Sequence, residues 1–153
     1  MAYFPKRLER AESDAMAARI AAFIAANGFG FWAAERKEDG ALLGFVGLNA
    51  PSWEAPFTPC IEIGWRLAHA HWGHGYATEA ARAALAFGFD RLGLDEIVAF
   101  TLPANHRSRA VMARLGMRHD PDGDFDHPLV PEGHALRRHV LYRLPRAEWE
   151  RPA

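Results

Sequence analysis

The stretch Trp72-Gly73-His74-Gly75-Tyr76-Ala77-Thr78-Glu79 joins an extended apolar run to a long alanine-rich helical pattern. Without a Cβ, Gly73 and Gly75 can adopt unusual backbone angles and let a bulky ligand approach their N–H groups. The first turn of the following helix adds unpaired N–H donors and the positive end of the helix dipole. Because these groups attract anions, the stretch predicts a strand-to-helix loop that binds a phosphate or pyrophosphate.

The segments that flank this loop predict a mixed sheet. Before the loop, residues 60–67 read as a strand that places Glu62 and Arg66 on one face. The opposite face of that strand carries Ile61, Ile63, Trp65 and Leu67. After the loop, residues 76–89 predict a helix and residues 96–101 a second strand. One face of this helix carries Tyr76, Ala80, Ala83 and Phe87, with Leu85 and Phe89 beside it. So little of its surface is polar that the helix is expected to be well covered. A strand, a helix and a strand in succession imply a parallel pair with a right-handed crossover.

The rest of the chain predicts antiparallel pairing around that unit. An apolar stripe over residues 13–27 predicts a helix that Ser13 caps and Gly28 ends. Residues 29–48 predict a β-hairpin around the tight-turn pair Asp39-Gly40. Further along, the pattern predicts a helix, a polar loop and a final strand, at residues 105–115, 120–138 and 139–144.

The composition predicts a single domain over residues 1–153. A hydrophobic content of 50% suffices for one buried core in a chain of this length. The formal net charge of -1 gives no reason to expect nucleic acid or a membrane as a partner. The single Cys60 excludes an intrachain disulfide and fits a reducing compartment. Because no apolar run approaches ~20 residues and no signal peptide is visible, a cytoplasmic location is expected.

Two common nucleotide-binding loops do not match this chain. A dinucleotide-binding loop would have a third glycine where Thr78 stands and an acidic residue at the end of the next strand, whereas Asp95 and Glu96 stand at its beginning. A Walker loop requires Gly-Lys-Ser or Gly-Lys-Thr, which does not occur in the sequence. The ligand is therefore expected to be another phosphate-bearing molecule.

Three spaced motifs together resemble the GCN5-related N-acetyltransferases. The glycine loop follows Glu62-Ile63-Gly64-Trp65 and precedes Asn105-His106-Arg107-Ser108 and Leu115-Gly116-Met117. The pattern is most similar to the branch that acetylates the N-termini of ribosomal proteins. The resemblance implies a mixed α/β fold with a mostly antiparallel central sheet, a splayed parallel strand pair and helices on both faces.

The resemblance also implies acetyl coenzyme A as the acetyl donor. The glycine loop would bind its pyrophosphate, and its pantetheine arm would lie between the splayed strands. The residues expected to bind this cofactor are Trp65, Leu67, Trp72, Gly73, His74, Gly75, Tyr76, Ala77, Thr78, Asn105, Arg107 and Ser108.

Two features depart from the family pattern. The family usually has Gln or Arg where Trp72 stands. Its members also begin with a strand and part of a helix before the position of Met1. Either the start codon is assigned too late, or the sheet has lost its usual first strand. An unprotected sheet edge invites pairing with another chain, which makes a homodimer one expectation.

Acetyl transfer to an amine needs a neutral nucleophile, a stabilised oxyanion and a proton for the leaving thiolate. By the resemblance, Ser108 would be the general acid, although Asn105 and Ser108 could equally serve only to begin a helix. Glu62 would be the general base, directly or through water. The alternatives for Glu62 are a strand carboxylate paired with Arg66, or activation through a water chain without a single base.

Two loops are expected to bind the amine acceptor. Trp53 and Phe57 lie in a proline-rich loop, and His127 lies in the long segment 120–138; together with Glu62 they would form a pocket with acidic and aromatic lining. A plain surface loop is the alternative for residues 120–138. No metal is expected, because His69, His71 and His74 lack a Cys or carboxylate at a usual ligand spacing.

The sequence therefore predicts an N-acetyltransferase that moves an acetyl group directly from acetyl coenzyme A to a primary amine in a ternary complex. The amine would belong to a protein N-terminus or to a small molecule. The contrasting interpretation is a non-catalytic acyl coenzyme A binding module or sensor with the same loop.

Overall fold

The computed structural model describes residues 6–149, which contain three α-helices and seven β-strands. The helices are α1 (Arg10–Asn27), α2 (Tyr76–Ala86) and α3 (His106–Arg114). The strands are β1 (Phe31–Glu35), β2 (Leu42–Asn49), β3 (Glu62–Leu67), β4 (Glu96–Thr101), β5 (Arg118–His119), β6 (Phe125–Asp126) and β7 (Arg138–Pro145). The predicted domain 1–153 also includes residues 1–5 and 150–153, which lie outside the described residues.

The strands form a sheet in the order β1-β2-β3-β4-β7-β5, with β6 also paired to β7. β3 and β4 are parallel, and the other pairs are antiparallel. The predicted hairpin is present as β1 and β2, and the predicted crossover helix is α2. The expectation of a mixed, mostly antiparallel sheet with one parallel pair is therefore confirmed.

The core lies between one face of this sheet and the helices α2 and α3. Alternate residues of the strands point into it, as the period of an extended chain requires. Its buried members include Val46, Leu48, Ile63, Ile97, Ala99, Val140, Tyr142 and Leu144 from the strands and Ala81, Leu85, Val111, Met112 and Leu115 from the helices. Because both helices are held against the sheet by this core, their N-termini have fixed positions relative to β3 and β4.

The predicted start of the first helix is wrong. Glu9, and not Ser13, is the capping residue of α1, and the Glu12 carboxylate accepts the backbone N–H of Glu9 at 2.9 Å. Because this bond satisfies the N-terminus of the helix, α1 starts before the first residue of the apolar stripe. The predicted end is confirmed, since Gly28 closes the helix with a left-handed φ of 77°.

The fully buried residues of the second helix differ from the apolar face that the sequence indicates, although Leu85, expected beside that face, is buried. The buried residues of α2 are Thr78, Ala81, Ala84 and Leu85. Tyr76 instead hydrogen-bonds with Arg36 of the hairpin, and Phe87 packs edge-on against Trp32 at 5.2 Å between ring centroids. Because alanine covers most sides of this helix, hydrophobic periodicity could not identify the buried side.

The segment 120–138 is more ordered than a polar loop. It contains β6, whose residue Phe125 is buried and pairs with His139 of β7. Val130, further along, is also buried. A short apolar insertion in a polar stretch is too brief to show a strand period, so its pairing was not predicted.

Among the helices of residues 6–149, none combines the length and the apolar character that crossing a bilayer requires.

Candidate functional site

The glycine loop has the backbone geometry that its sequence predicts. Gly73 and Gly75 have left-handed φ angles of 79° and 78°. A Cβ at either position would meet nothing within 4 Å, so the glycines are needed for their backbone angles and not for space. Gly75 is the N-cap of α2, and no side chain caps that end of the helix. The N–H groups of the first turn are therefore available to an anionic ligand.

The parallel strands β3 and β4 separate directly above this loop. They share one register pair, Glu62 with Val98, and the Val98 N–H donates to the Ile61 carbonyl at 3.0 Å. The rest of β3 pairs only with β2. A cleft of about 1560 Å³ occupies the gap and reaches the glycine loop.

The cleft is lined by residues from both faces of the sheet. Val111 and Met112 of α3 belong to the core face. Phe100 alternates with the buried Ala99 along β4 and so lies on the opposite face. Two ligands can therefore meet in the gap after approaching it from opposite sides of the sheet.

The start of α3 holds Ser108 at the cleft. The Asn105 side chain accepts the Ser108 backbone N–H at 3.3 Å and donates to Thr101 Oγ1 at 3.0 Å. The indole Nε1–H of Trp65 donates to Ser108 Oγ at 3.3 Å. Because Oγ accepts this bond, the Ser108 hydroxyl proton remains available for donation. Asn105 thus caps the helix and also lines the cleft, as both interpretations of this pair require.

Glu62 lies at the point where the strands separate. Burial raises the pKa of its carboxyl group to about 7, against the opposing effect of a hydrogen bond from Asn49 Nδ2 at 3.2 Å. Glu62 does not contribute to the cleft lining. A proton could therefore reach it from the cleft only through an intervening group such as water.

Trp53, Phe57 and His127, which the sequence places in two separate loops, come together in the structure. They form an aromatic cluster with Phe100, Phe125 and His139. Ring centroids are 4.6 Å apart for Trp53 and His127, and 5.0 Å apart for His127 and His139. His127 lines the cleft, whereas Trp53 and Phe57 pack behind the lining. Their role in acceptor binding stays a prediction.

Both histidines of this cluster are uncharged near neutral pH. Burial, reinforced by the neighbouring His139, lowers the pKa of His127 to about 4. Burial also lowers the pKa of His139, although a hydrogen bond to the Arg137 carbonyl opposes this. The pair therefore adds no positive charge to the cleft wall.

The cleft lining carries more basic than acidic side chains, and the expected acidic lining of an acceptor pocket stays a prediction. Among residues 6–149, Glu79 is the only acidic residue that lines the cleft. The lining contains four arginines, Arg66, Arg82, Arg107 and Arg114. The Arg107 guanidinium lies 5.1 Å from the centroid of the Trp72 ring, where a cation–π contact holds it beside the glycine loop. Arg107 therefore places positive charge beside the glycine loop.

Most of the predicted cofactor residues line the cleft. They are Trp65, Leu67, Trp72, Gly73, Gly75, Tyr76, Ala77, Thr78, Asn105, Arg107 and Ser108. His74 does not line it and stacks on Tyr76 with ring centroids 5.5 Å apart. Sequence reasoning missed His139, Phe100 and Leu129, because a strand and a loop carry these residues without a motif.

The three histidines near the glycine loop do not form a metal site. His69 packs against Trp72 at 4.7 Å between ring centroids. Over residues 6–149, no three His, Cys, Asp or Glu side chains converge in a way that could hold a metal ion.

The sheet opens at its parallel pair, and the cleft in this opening reaches the glycine loop. Residues 1–118 match the family model of the acetyltransferase (GNAT) domain. The chain belongs to this family, and the expected resemblance is confirmed.

Known relatives carry acetyltransferase names. The chain is 36% identical over 132 residues to the FsC-acetyl coenzyme A-N(2)-transacetylase of Aspergillus fumigatus, a match that covers 81% of this chain and 53% of that protein. The chain spans about half the length of the curated relatives it matches.

Solved structures share the fold. An acetyltransferase from Agrobacterium tumefaciens aligns with a TM-score of 0.69 and 29% identity, covering 94% of this chain and 75% of that chain. RimJ of Mycobacterium smegmatis, solved in complex with CoA-disulfide, aligns with a TM-score of 0.69 and 27% identity, covering 88% of this chain and 61% of that chain.

Proposed function

We propose that this domain, extending over residues 1–153, is an acetyl coenzyme A dependent N-acetyltransferase that transfers the acetyl group directly to a primary amine in a ternary complex. One observation carries the proposal: the cleft runs from the glycine loop through the gap between β3 and β4, and Ser108 borders it. The match to the acetyltransferase family supports the same activity.

The residues present fit the coenzyme. The uncapped N-terminus of α2 and the nearby Arg107 suit its phosphates, and the separated strands leave room for a pantetheine arm beside Trp65 and Asn105. When bound, the coenzyme supplies an acetyl group on a thioester. The rest of the reaction depends on the groups of this chain.

Transfer requires the amine nitrogen to bond to the thioester carbonyl carbon while the C–S bond breaks. The stretch of β3 beyond Glu62 has backbone N–H groups that can stabilise the oxyanion. The Ser108 hydroxyl donates its proton to the departing thiolate and regains a proton from solvent. Its oxygen already accepts the indole N–H of Trp65, so its own proton is free to be donated. Glu62 receives the proton of the amine through water, for which a pKa of about 7 is suitable.

The test is release of free thiol from acetyl coenzyme A with a panel of amines and peptide N-termini. Turnover is expected, and Ser108→Ala should lower kcat by about 10²-fold with little change in coenzyme binding. Ser13→Ala, an exposed change in α1, is the control and should keep full activity.

The non-catalytic sensor predicts a different result. Coenzyme A would bind, no acceptor in the panel would release thiol, and Ser108→Ala would change nothing measurable. Failure of coenzyme A to bind at all would contradict both the enzyme and the sensor.

A further inference from the structure

One wall of the cleft differs in chemistry from the rest. It is formed by the end of β4 and the segment 127–139, and it is called here the 127–139 wall. Its residues are Phe100, His127, Leu129, Val130, Leu136 and His139. None of these side chains is acidic or permanently charged, whereas the remaining cleft lining carries four arginines.

The two histidines of the 127–139 wall have opposite hydrogen-bonding roles. His127 Nδ1 accepts the backbone N–H of Leu129 at 3.2 Å, so the neutral ring carries its proton on Nε2. His139 Nδ1 lies 3.0 Å from the Arg137 carbonyl, which only accepts, so its proton is on Nδ1 and its Nε2 carries the lone pair. The wall therefore offers one donor and one acceptor without net charge.

The rim of this wall is apolar. Leu129 is 72% exposed, although it lines the cleft. Behind the wall, the rings of Trp53, Phe57 and Phe125 pack on Phe100. An exposed leucine beside a layer of aromatic rings is a surface that gains free energy by covering an apolar ligand.

The carboxylates near this wall do not line the cleft. Glu132, which lies within residues 127–139, is exposed and is absent from the lining. Asp124 accepts the Leu141 backbone N–H at 3.0 Å and lies 2.9 Å from His119 Nε2. Asp126 forms an ion pair with Arg138 at 3.5 Å. Neither aspartate lines the cleft. A second positive charge on an acceptor would thus meet apolar groups and neutral imidazoles, and its loss of hydration would be uncompensated.

We propose that the acceptor is a primary amine whose remaining body is apolar and uncharged, and that the 127–139 wall binds this body. The inference rests on the proposed function, because it takes the ligand on this wall to be the acceptor. An alkylamine or arylamine and a peptide N-terminus with apolar first residues share this chemistry. Polyamines and lysine-rich N-termini are excluded as preferred acceptors.

The test compares ligands that differ by one charge. Affinity for the coenzyme A complex of the full chain is measured by titration calorimetry with hexylamine and with 1,6-diaminohexane, and with the amides of Ala-Leu and Ala-Lys. The monoamine and the leucine peptide should each bind on the order of ten-fold more tightly than their charged counterparts. Comparison of the two pairs distinguishes a small amine from a peptide N-terminus.

A charge introduced on the rim provides a second measurement. Leu129→Glu should reduce or reverse the preference for hexylamine over 1,6-diaminohexane, because a carboxylate would then face the distal ammonium group. Leu42→Glu is the matched control, since Leu42 is 67% exposed and does not line the cleft. It should leave the preference unchanged.

Equal or tighter binding of the diamine and the lysine peptide by the unmodified chain would overturn the inference. So would a preference that Leu129→Glu does not alter. If hexylamine is preferred and Leu129→Glu reverses this, but no acceptor is acetylated, the binding surface stands and the proposed catalysis fails.

Discussion

Glu62 loses much of its contact with water when the chain folds, and burial raises its pKa to about 7. The folded protein therefore holds a proton on Glu62 at pH values where the unfolded chain has released it. The stability that this proton provides is complete below pH 4.5 and is lost as the pH rises through about 7.

At pH 8, Glu62→Gln should raise the free energy of unfolding by up to roughly 3 kcal/mol, because glutamine stays neutral in the same space. At pH 4.5 the difference should nearly vanish. Urea unfolding at the two pH values measures it. Glu54→Gln, at an exposed position, should show no such dependence on pH. An equal effect of Glu62→Gln at both pH values would contradict a raised pKa.

The same substitution has a kinetic consequence under the proposed mechanism. The ratio of kcat/KM between the unmodified chain and Glu62→Gln should rise with pH and level off above about 7, where Glu62 is ionised. The ionisation of the acceptor amine affects both proteins equally, so it cancels in this ratio. A ratio that stays flat would show that the amine loses its proton without Glu62.

At the residue scale, the sequence predicted the cofactor side better than the acceptor side. Gly73 and Gly75 indicate a loop with left-handed backbone angles, and Asn105 indicates a helix N-cap. The sequence gives no sign that His139 lines the cleft. Its position depends on the pairing of β6 with β7 and on burial by aromatic rings from other loops. The raised pKa of Glu62 also arises from burial, which the alternation of a strand does not quantify.

At the element scale, a glycine with a left-handed backbone conformation ends α1, and another begins α2. Gly28 at the C-terminus of α1 and Gly75 at the N-terminus of α2 have φ angles of 77° and 78°, and both have open surroundings. Changing either to alanine should cost roughly 1 kcal/mol or more of stability, because alanine resists the left-handed region.

The two substitutions should differ in ligand binding. Gly75→Ala should weaken coenzyme A binding by about ten-fold or more, because the strained loop would no longer aim its N–H groups at the phosphates. Gly28→Ala is the matched control and should leave the affinity unchanged. Calorimetric titration with coenzyme A measures both. Equal loss of affinity in the two variants would indicate general destabilisation.

Helices and strands were predicted correctly where a boundary residue and the apolar pattern agreed, and less well where only one of these was present. The strand at residues 96–101 and the helix at residues 105–115 were placed almost as observed, since a cap or a β-branched run marks each boundary. The start of α1 was missed because its N-cap is Glu9, which is not a typical N-cap residue. Most of the buried residues of α2 were not singled out, because alanine occupies most of its sides.

At the scale of the whole molecule, coenzyme binding should stabilise the fold. The cleft joins α2, α3, β3 and β4, so a ligand that occupies it contacts elements that separate only when the chain unfolds. Coenzyme A at one hundred times its dissociation constant should add about 2.7 kcal/mol to the free energy of unfolding. Thermal unfolding with and without coenzyme A measures this. A ten-fold loss of affinity in Gly75→Ala should reduce the gain to about 1.4 kcal/mol at the same coenzyme A concentration.

The topology was predictable in part. The succession of strand, helix and strand implied the parallel pair, and the Asp39-Gly40 turn implied the hairpin. The place of β7 beside β4 did not follow, since this pairing joins segments far apart in the chain. The pairing of β6 with β7 did not follow, because β6 is only two residues long.

The opening of the cleft to both faces of the sheet bears on the order of events in catalysis. If donor and acceptor enter from opposite sides, each product can leave by its own route without waiting for the other. Coenzyme A should then inhibit competitively against acetyl coenzyme A but not against the amine. An acetylated product that is bulky and apolar would leave the 127–139 wall slowly, and its departure, rather than bond formation, would limit turnover.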